Sequence, residues 1–309
     1  HVSQAGGFGR VLLEARGAGL PAYGYVVNYG ELLRALTQAV QQRLPRYRFG
    51  ARASAIRAEG ASAVVDYVRE GGVADSATAP LVAVADGGSL VAEADIQVRD
   101  YGQTAVTGRV SAELAHGGTA YERFTRDGPL ALLPMGADMA LIWTTTPDRA
   151  AELAAMSEQR FLAALQTQFG DRLGAFRSVT ARTIYPLVLK YAYHAVLPRT
   201  ILIGNAAQTL HPVAGQGFNL GLRDAWELAE EITACEPEWL GQPDMLERAR
   251  RRRRIDRRGS IAFTDFLVRV FTNDMPPVRL ARGLGLAALD QVPLVKNFLA
   301  RRMTFGARG

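Results

Sequence analysis

Residues 201–232 read ILIGNAAQTLHPVAGQGFNLGLRDAWELAEEI. A short apolar run ends at Gly204, a loop carries His211, Pro212, Gly215 and Gly217, and an amphipathic helix follows. Gly215 and Gly217 lack side chains, so backbone can approach a flat ligand closely. A helix that starts near Gly217 aims free N–H groups and a partial positive charge at that ligand, which favours an anion or a ring that becomes anionic. Pro212 offers a rigid apolar surface, and Asn205 can bond a sugar or polyol hydroxyl. A flavin meets this description, with its ribityl chain and a reduced ring that is negative near N1 and O2. The same turn could also close a strand–turn–helix unit without any ligand, and spacing alone leaves both readings open.

Such a loop needs a strand before it and a helix after it. The run 200–203 and the run 80–86, PLVAVAD, both fit strands buried on two faces, as in a parallel sheet. Helical spacing is expected over 31–44, with Leu32, Leu33, Leu36, Ala39, Val40 and Leu44 on one side, and over 217–234. Segment 62–68 reads as a strand. The middle of the chain differs: 105–114, 119–125, 130–134 and 140–144 are short and β-rich, separated by Gly117-Gly118, Asp127-Gly128 and Gly136-Ala137-Asp138. That pattern predicts antiparallel hairpins. A helix over 157–169 has Ser157 as N-cap and Gly170 beyond its end, and 183–189 is extended. From Pro243 the chain is mostly helical, broken at Pro276-Pro277 and Pro293. An antiparallel sheet therefore lies between two pieces of an α/β layer.

Composition narrows the classes. The 309 residues carry a formal net charge of +6, and a single cysteine, Cys235, excludes an internal disulfide and a CxxC zinc site. A reducing compartment follows as the expectation. The four histidines, His1, His116, His194 and His211, form no HExxH pair, so no metal site is expected. No apolar run reaches the roughly 18–20 residues that span a bilayer, and the opening HVSQAGGFGR does not read as a signal peptide. The basic excess is partly local, in ERARRRRRIDRR at 247–258. It reads either as a solvated helix or as a face for anionic lipid. Without interleaved aromatics it is not expected to bind nucleic acid.

Three stretches carry a family resemblance. GNAAQTLHPVAGQGFNLGLRDAWELAE (204–230) resembles the second FAD motif of the class A flavoprotein aromatic hydroxylases, close to GDAAH…P..GQG.N.G..D. VAVADGGS (82–89) is similar to their Asp-Gly motif near FAD and NAD(P)H. FTRDGPLALLPM (124–135) resembles the hairpin that covers the substrate side of the flavin. With DRRGSIAFTDFLVRVF at 256–271, the likeness is to the ubiquinone-biosynthesis branch and runs through essentially the whole chain.

The resemblance implies a mixed α/β fold: an incomplete Rossmann-like FAD-binding domain with an inserted antiparallel β-sheet substrate domain, para-hydroxybenzoate-hydroxylase-like, and C-terminal helices. The expected division gives 22–95 and 190–240 to the FAD-binding domain, 1–21 and 96–189 to the substrate domain, and 241–309 to a helical region. Implied FAD contacts are Asp86, Gly87, Gly204, Asn205, Pro212, Gly215, Gln216, Gly217, Phe218 and Asn219. NAD(P)H is the implied reductant, O2 a co-substrate and a polyprenylated phenol the acceptor, hydroxylated through a flavin C4a-hydroperoxide. No acid–base residue is assigned. His211 reads as a loop histidine that bonds backbone, with a proton relay as the rival. Phe124, Leu133 and Trp143 line a substrate channel or form ordinary sheet core.

Two departures matter. Asn205 stands where the family usually has Asp, and no GxGxxG occurs anywhere. The glycine-rich 5–10, AGGFGR, has no predicted strand before it and resembles instead the family's first substrate-domain strand region. The expectation is an N-terminally truncated chain lacking at least one βα unit and the next strand, about 30 residues. Its flavin affinity or potential could differ, the flavin could be absent, and exposed sheet edges could pair with another copy. A cytoplasmic location is expected, with peripheral contact at the inner membrane and with other ubiquinone-biosynthesis proteins. The rival functions are a hydroxylase of a soluble aromatic substrate and a non-catalytic interaction module.

Overall fold

The computed structural model describes residues 1–44, 47–91, 94–211, 213–272 and 275–306. In chain order the elements are β1 (Val2–Gln4), β2 (Arg10–Val11), α1 (Tyr29–Arg43), β3 (Arg52–Glu59), β4 (Ser62–Val68), β5 (Ala74–Ala79), β6 (Val82–Val84), β7 (Ile96–Ala112), β8 (Tyr121–Phe124), β9 (Pro129–Met135) and β10 (Asp138–Thr145). There follow α2 (Pro147–Ala155), α3 (Glu158–Phe169), β11 (Phe176–Val179), β12 (Thr183–Ala192), β13 (Val196–Leu197), β14 (Thr200–Leu202), β15 (Gln208–Thr209), α4 (Gln216–Thr233), α5 (Pro243–Thr272), α6 (Pro276–Gln291) and α7 (Pro293–Phe305). The chain forms two compact units. One comprises His1–Tyr29, Asp100–Leu187 and Asp265–Gly309, the other Gly30–Arg99 and Val188–Thr264.

The first unit is built on an antiparallel sheet ordered β12-β7-β10-β9-β8-β1-β2, with β11 also paired to β7. Alternation works as the sequence predicts: Leu130, Leu132, Met139, Leu141 and Trp143 face one side and pack with Leu153, Phe161, Leu165 and Phe169 of α2 and α3. Ser157 caps α3 by accepting from the Arg160 N–H at 3.4 Å, and Gly170 ends it at φ +87°. The expected run of hairpins needs one correction. The β8–β9 and β9–β10 pairs are antiparallel hairpins, but β7 pairs with β10 rather than with β8. The Gly117-Gly118 turn thus carries the chain past the β9–β10 hairpin instead of closing one, because β10 saturates that edge of β7. The glycine-rich 5–10 stretch also differs from expectation: strand β1 precedes it, pairing parallel to β8 and antiparallel to β2.

In the second unit β6 and β14 run parallel, with β13 antiparallel on the far side of β14. Strand β14 is buried throughout, as its sequence requires. Leu202 joins Val84, Ala192 and Ala206 on one face, and Ile201 packs with Leu228, Met245 and Leu246 from α4 and α5 on the other. Strand β6 is not buried on both faces as read from the sequence. It lies at the sheet edge, and Ala83 is exposed while Val84 is buried. The hairpin sheet β3-β4-β5 buries Ala63, Val64 and Tyr67 of β4. Helix α1 forms where its periodicity places it, but it has no buried residue, and Leu33 and Leu36 stay about half exposed.

The basic run is neither simply solvated nor a bare cationic face. On α5, Arg248 pairs with Glu231 at 2.7 Å, Arg252 with Glu230 at 2.6 Å, and Arg253 with Asp224 of α4. Arg257 donates to the Ala192 and Ala207 carbonyls and, at 2.9 Å, to Gln208 Oε1. Helical spacing sends these guanidinium groups to the α4 side, while Arg250 and Arg251 turn back to Glu247.

Candidate cofactor site

The site grows from the parallel β6–β14 pair. Leu202 lies opposite Val84, and the Ile203 N–H donates to the Val84 carbonyl at 3.0 Å. The two following loops therefore leave the same, C-terminal end of adjacent parallel strands, where open α/β sheets bind ligands. All the described candidate residues gather on these two loops.

After β6, the Asp86 carboxylate folds its own turn, accepting from the N–H groups of Gly88 and Ser89 at 2.8 and 3.1 Å and from the Ser89 hydroxyl at 2.6 Å. Partial desolvation pushes its pKa up, but these donors outweigh that and leave it below the ordinary carboxylate range. Gly87 sits in the left-handed region at φ +88°. A Cβ on Gly88 would lie 3.4 Å from the Ala206 carbonyl oxygen, so the two loops touch.

After β14, Gly204 turns the chain at φ +57° and donates its N–H to Asp224 Oδ2 at 3.0 Å. Asn205 projects outward and is exposed. His211 is 1 % exposed, and its Nδ1 accepts from the Val213 N–H at 3.2 Å. Burial pulls its pKa down to about 4, so it is a neutral, turn-fixing histidine at physiological pH. Pro212 lies outside the described residues. Gly215 begins α4 at φ +59°, and no side chain caps the helix start. Gly217, like Gly285 of α6, is helical, and among the described residues a Cβ there would meet nothing within 4 Å. Among the described residues no packing contact requires glycine at 217. Gln216 is half-buried beside it, Phe218 and Asn219 are exposed, and the Asn219 amide donates weakly to the Gly215 carbonyl at 3.4 Å.

The sequence reading missed the frame that holds this loop. Asp224 is 3 % exposed and binds Gly204, Gln208 (2.6 Å to Oδ2) and Arg253 together. Gly221 lets α4 approach the turn, since a Cβ there would stand 3.2 Å from Gly204 Cα. The available signal was Asp224 lying between Leu220 and Leu228 at helical spacing, an acid in an apolar stripe that must be paired. In the other unit, Phe124 stacks on Phe271 at 3.5 Å and Trp143 packs on Phe161, both buried, so these two are core. Leu133 is half-buried on the opposite sheet face from Leu132.

The residues present fit an FAD: an uncapped helix start, open space over Gly217, and the exposed amide of Asn205 lie on one loop. Among the described residues no group of three potential metal ligands occurs. The parallel pair with its helix start and the separate antiparallel sheet define a mixed α/β chain. The family model described as FAD binding domain matches residues 11–259. The chain is 43 % identical over 212 residues to the ubiquinone hydroxylase UbiL of Rhodospirillum rubrum, covering 67 % of this chain and 49 % of that one. It is 31 % identical over 295 residues to the 3-demethoxyubiquinol 3-hydroxylase of Escherichia coli, covering 93 % and 74 %. The p-nitrophenol 4-monooxygenase PnpA of Pseudomonas putida shares the fold, with a TM-score of 0.71 at 18 % identity over 92 % of this chain and 74 % of that one. The chain thus belongs to the FAD-binding-domain family, in the branch of the flavin hydroxylases of ubiquinone biosynthesis. It spans about half the length of the Rhodospirillum relative.

Proposed function

We propose that this chain serves the hydroxylation of a polyprenylated phenol in ubiquinone biosynthesis, with NAD(P)H as reductant and O2 as oxidant. A polyprenyl methoxyphenol is the substrate class that the sequence resemblance supports. The observation that carries the reading is the meeting of the 86–89 turn and the uncapped start of α4 at the C-terminal ends of β6 and β14. FAD bound there supplies the oxygen chemistry. The chain's part is placement. Gly215 and Gly217 admit the flat ring to the backbone, and the N-terminus of α4 stabilises negative charge on it. Asn205 bonds a polyol hydroxyl, and neutral His211 holds the loop. Gln216, Phe218 and Asn219 complete the ring side. Asp86, Gly87 and Gly204 shape the polyol side, Asp86 chiefly by fixing its turn. In this reading the second unit (Gly30–Arg99, Val188–Thr264) carries the cofactor and the first unit's sheet the phenol.

No helix among the described residues is long and apolar enough to cross a membrane. A polyprenyl substrate then has to be met at a bilayer surface, and the exposed Leu294, Val295 and Phe298 of α7 suit peripheral contact. The test is titration of the purified chain with FAD, followed by flavin absorbance and fluorescence after gel filtration. Saturable, co-eluting flavin is expected, as is FAD-dependent NAD(P)H oxidation stimulated by a phenol with hydroxylated product. A chain that folds yet retains no flavin at any concentration would sink the assignment of the site.

A further inference from the structure

The first unit contains a polar cavity of about 500 Å³, lined by none of the loop residues described above. Strands β1, β2 and β8 form one wall. Cross-strand register puts Ser3 opposite Arg10 on one side and opposite Arg123 on the other, so the three side chains stand in a row. Arg172 joins them, and Asp290 of α6 lies on the far wall. Helix α6 is seated there by a close backbone approach, since a Cβ on either Gly9 or Gly283 would collide with the other segment's backbone.

The charges do not balance. Three guanidinium groups face one carboxylate, and Asp290 is already engaged by the Leu12 N–H at 3.1 Å and Lys296 Nζ at 3.3 Å. Among the described residues the Arg172 guanidinium meets a ring nitrogen, His1 Nε2, at 3.0 Å. In the cavity lining, Arg123 Nε and Gln4 Oε1 are buried with no hydrogen-bond partner among the described residues, and Gln4 as a whole is 7 % exposed. Desolvation, then the nearby Arg172, lower the pKa of Arg123, the direction expected of a cation lacking its anion. Leaving a buried donor and a buried acceptor unmet is costly. A ligand that brought an oxyanion to the arginines and a hydroxyl donor to Gln4 would satisfy both.

We propose that this cavity binds a small hydroxylated oxyanion, a phosphate or carboxylate held by Arg10, Arg123, Arg172 and Ser3, whose hydroxyl donates to Gln4. Arginine forks suit either anion. Calorimetric titration of the purified chain with glycerol 1-phosphate and, separately, with glycerate tests the idea and assigns the source. Saturable heat from the first alone marks a phosphoryl ligand, from the second alone a carboxylate, and from both a general oxyanion site. Arg123→Gln and Arg172→Gln should each weaken binding about tenfold or more. Gln4→Leu should erase the preference for glycerol 1-phosphate over inorganic phosphate. Arg10 is exposed, so Arg10→Gln leaves the fold intact and should still weaken binding if the buried-side variants fail to fold. Absence of saturable heat from both probes, or affinity unchanged in Arg10→Gln and Arg123→Gln, overturns the proposal.

Discussion

At the scale of single residues, Gly217 and His211 make opposite predictions. Because a Cβ at 217 enters open space, Gly217→Ala should leave the fold unharmed or stabilise it by a few tenths to about 1 kcal/mol. The same methyl group should obstruct a flat ligand, so flavin retention should fall while the melting temperature holds or rises. A parallel drop in both would show that 217 is merely structural. His211 has its folded pKa lowered to about 4 from 6.5. Between those values the unfolded chain binds the extra proton and the folded chain does not. Stability is therefore full above pH 6.5 and declines as pH falls toward 4, by a total on the order of 3 kcal/mol. Urea unfolding at pH 7 and pH 5 should show the loss, and His211→Gln should flatten the slope. Sequence placed both residues on the loop. It could not separate a glycine needed by the chain from one needed by a ligand, because that distinction depends on what lies beyond the Cβ.

Among the elements, α4 is fixed by contacts with the turn before it and with α5. Gly221→Ala would press a methyl group against Gly204 Cα, with no side chain able to yield. Overpacking of that kind costs about 1–3 kcal/mol and exceeds the gain in helix propensity, so a lowered unfolding midpoint is expected despite the better helix former. Asp224→Asn would remove one of the carboxylates around the buried Arg253 guanidinium, leaving Glu227 at 3.7 Å and Asp256 at 3.5 Å, and would weaken the bonds to Gly204 and Gln208. Weakening a buried charged hydrogen-bond network that keeps its other carboxylates costs about 1–3 kcal/mol, measurable by denaturant unfolding, and a variant as stable as the parent would remove Asp224 from this role. Several helices and strands were legible from periodicity and caps, since α3 begins beside Ser157 and ends at Gly170 and β4 spans Ser62–Val68, whereas α2, β3, β5 and β11 were not read from the sequence. The pairing of β7 with β10 was not legible, since adjacency in sequence favours the nearer strand and only the whole sheet shows which edge is taken.

For the whole molecule, each unit is assembled from separated segments, and α5 crosses from one to the other at 264/265. Helix α7 leaves Leu294, Val295 and Phe298 in solvent. Replacing Leu294 and Phe298 with Asp should abolish co-sedimentation with anionic vesicles while leaving the unfolding midpoint within about 0.5 kcal/mol of the parent, as exposed positions allow. Vesicle binding that survives the pair of changes would remove α7 as the lipid contact. The sequence alone determined the elements, the hydrophobic faces and the loop whose glycines and helix start suit a flavin, because these depend on local sterics and on spacing within one element. Only the tertiary structure decided that the 86–89 turn meets that loop, that Arg248, Arg252 and Arg253 pair with acids of α4, and that Arg10, Ser3 and Arg123 stand in one row. Those facts depend on pairing between distant segments, which the register of strands and the packing of helices set and no local pattern encodes.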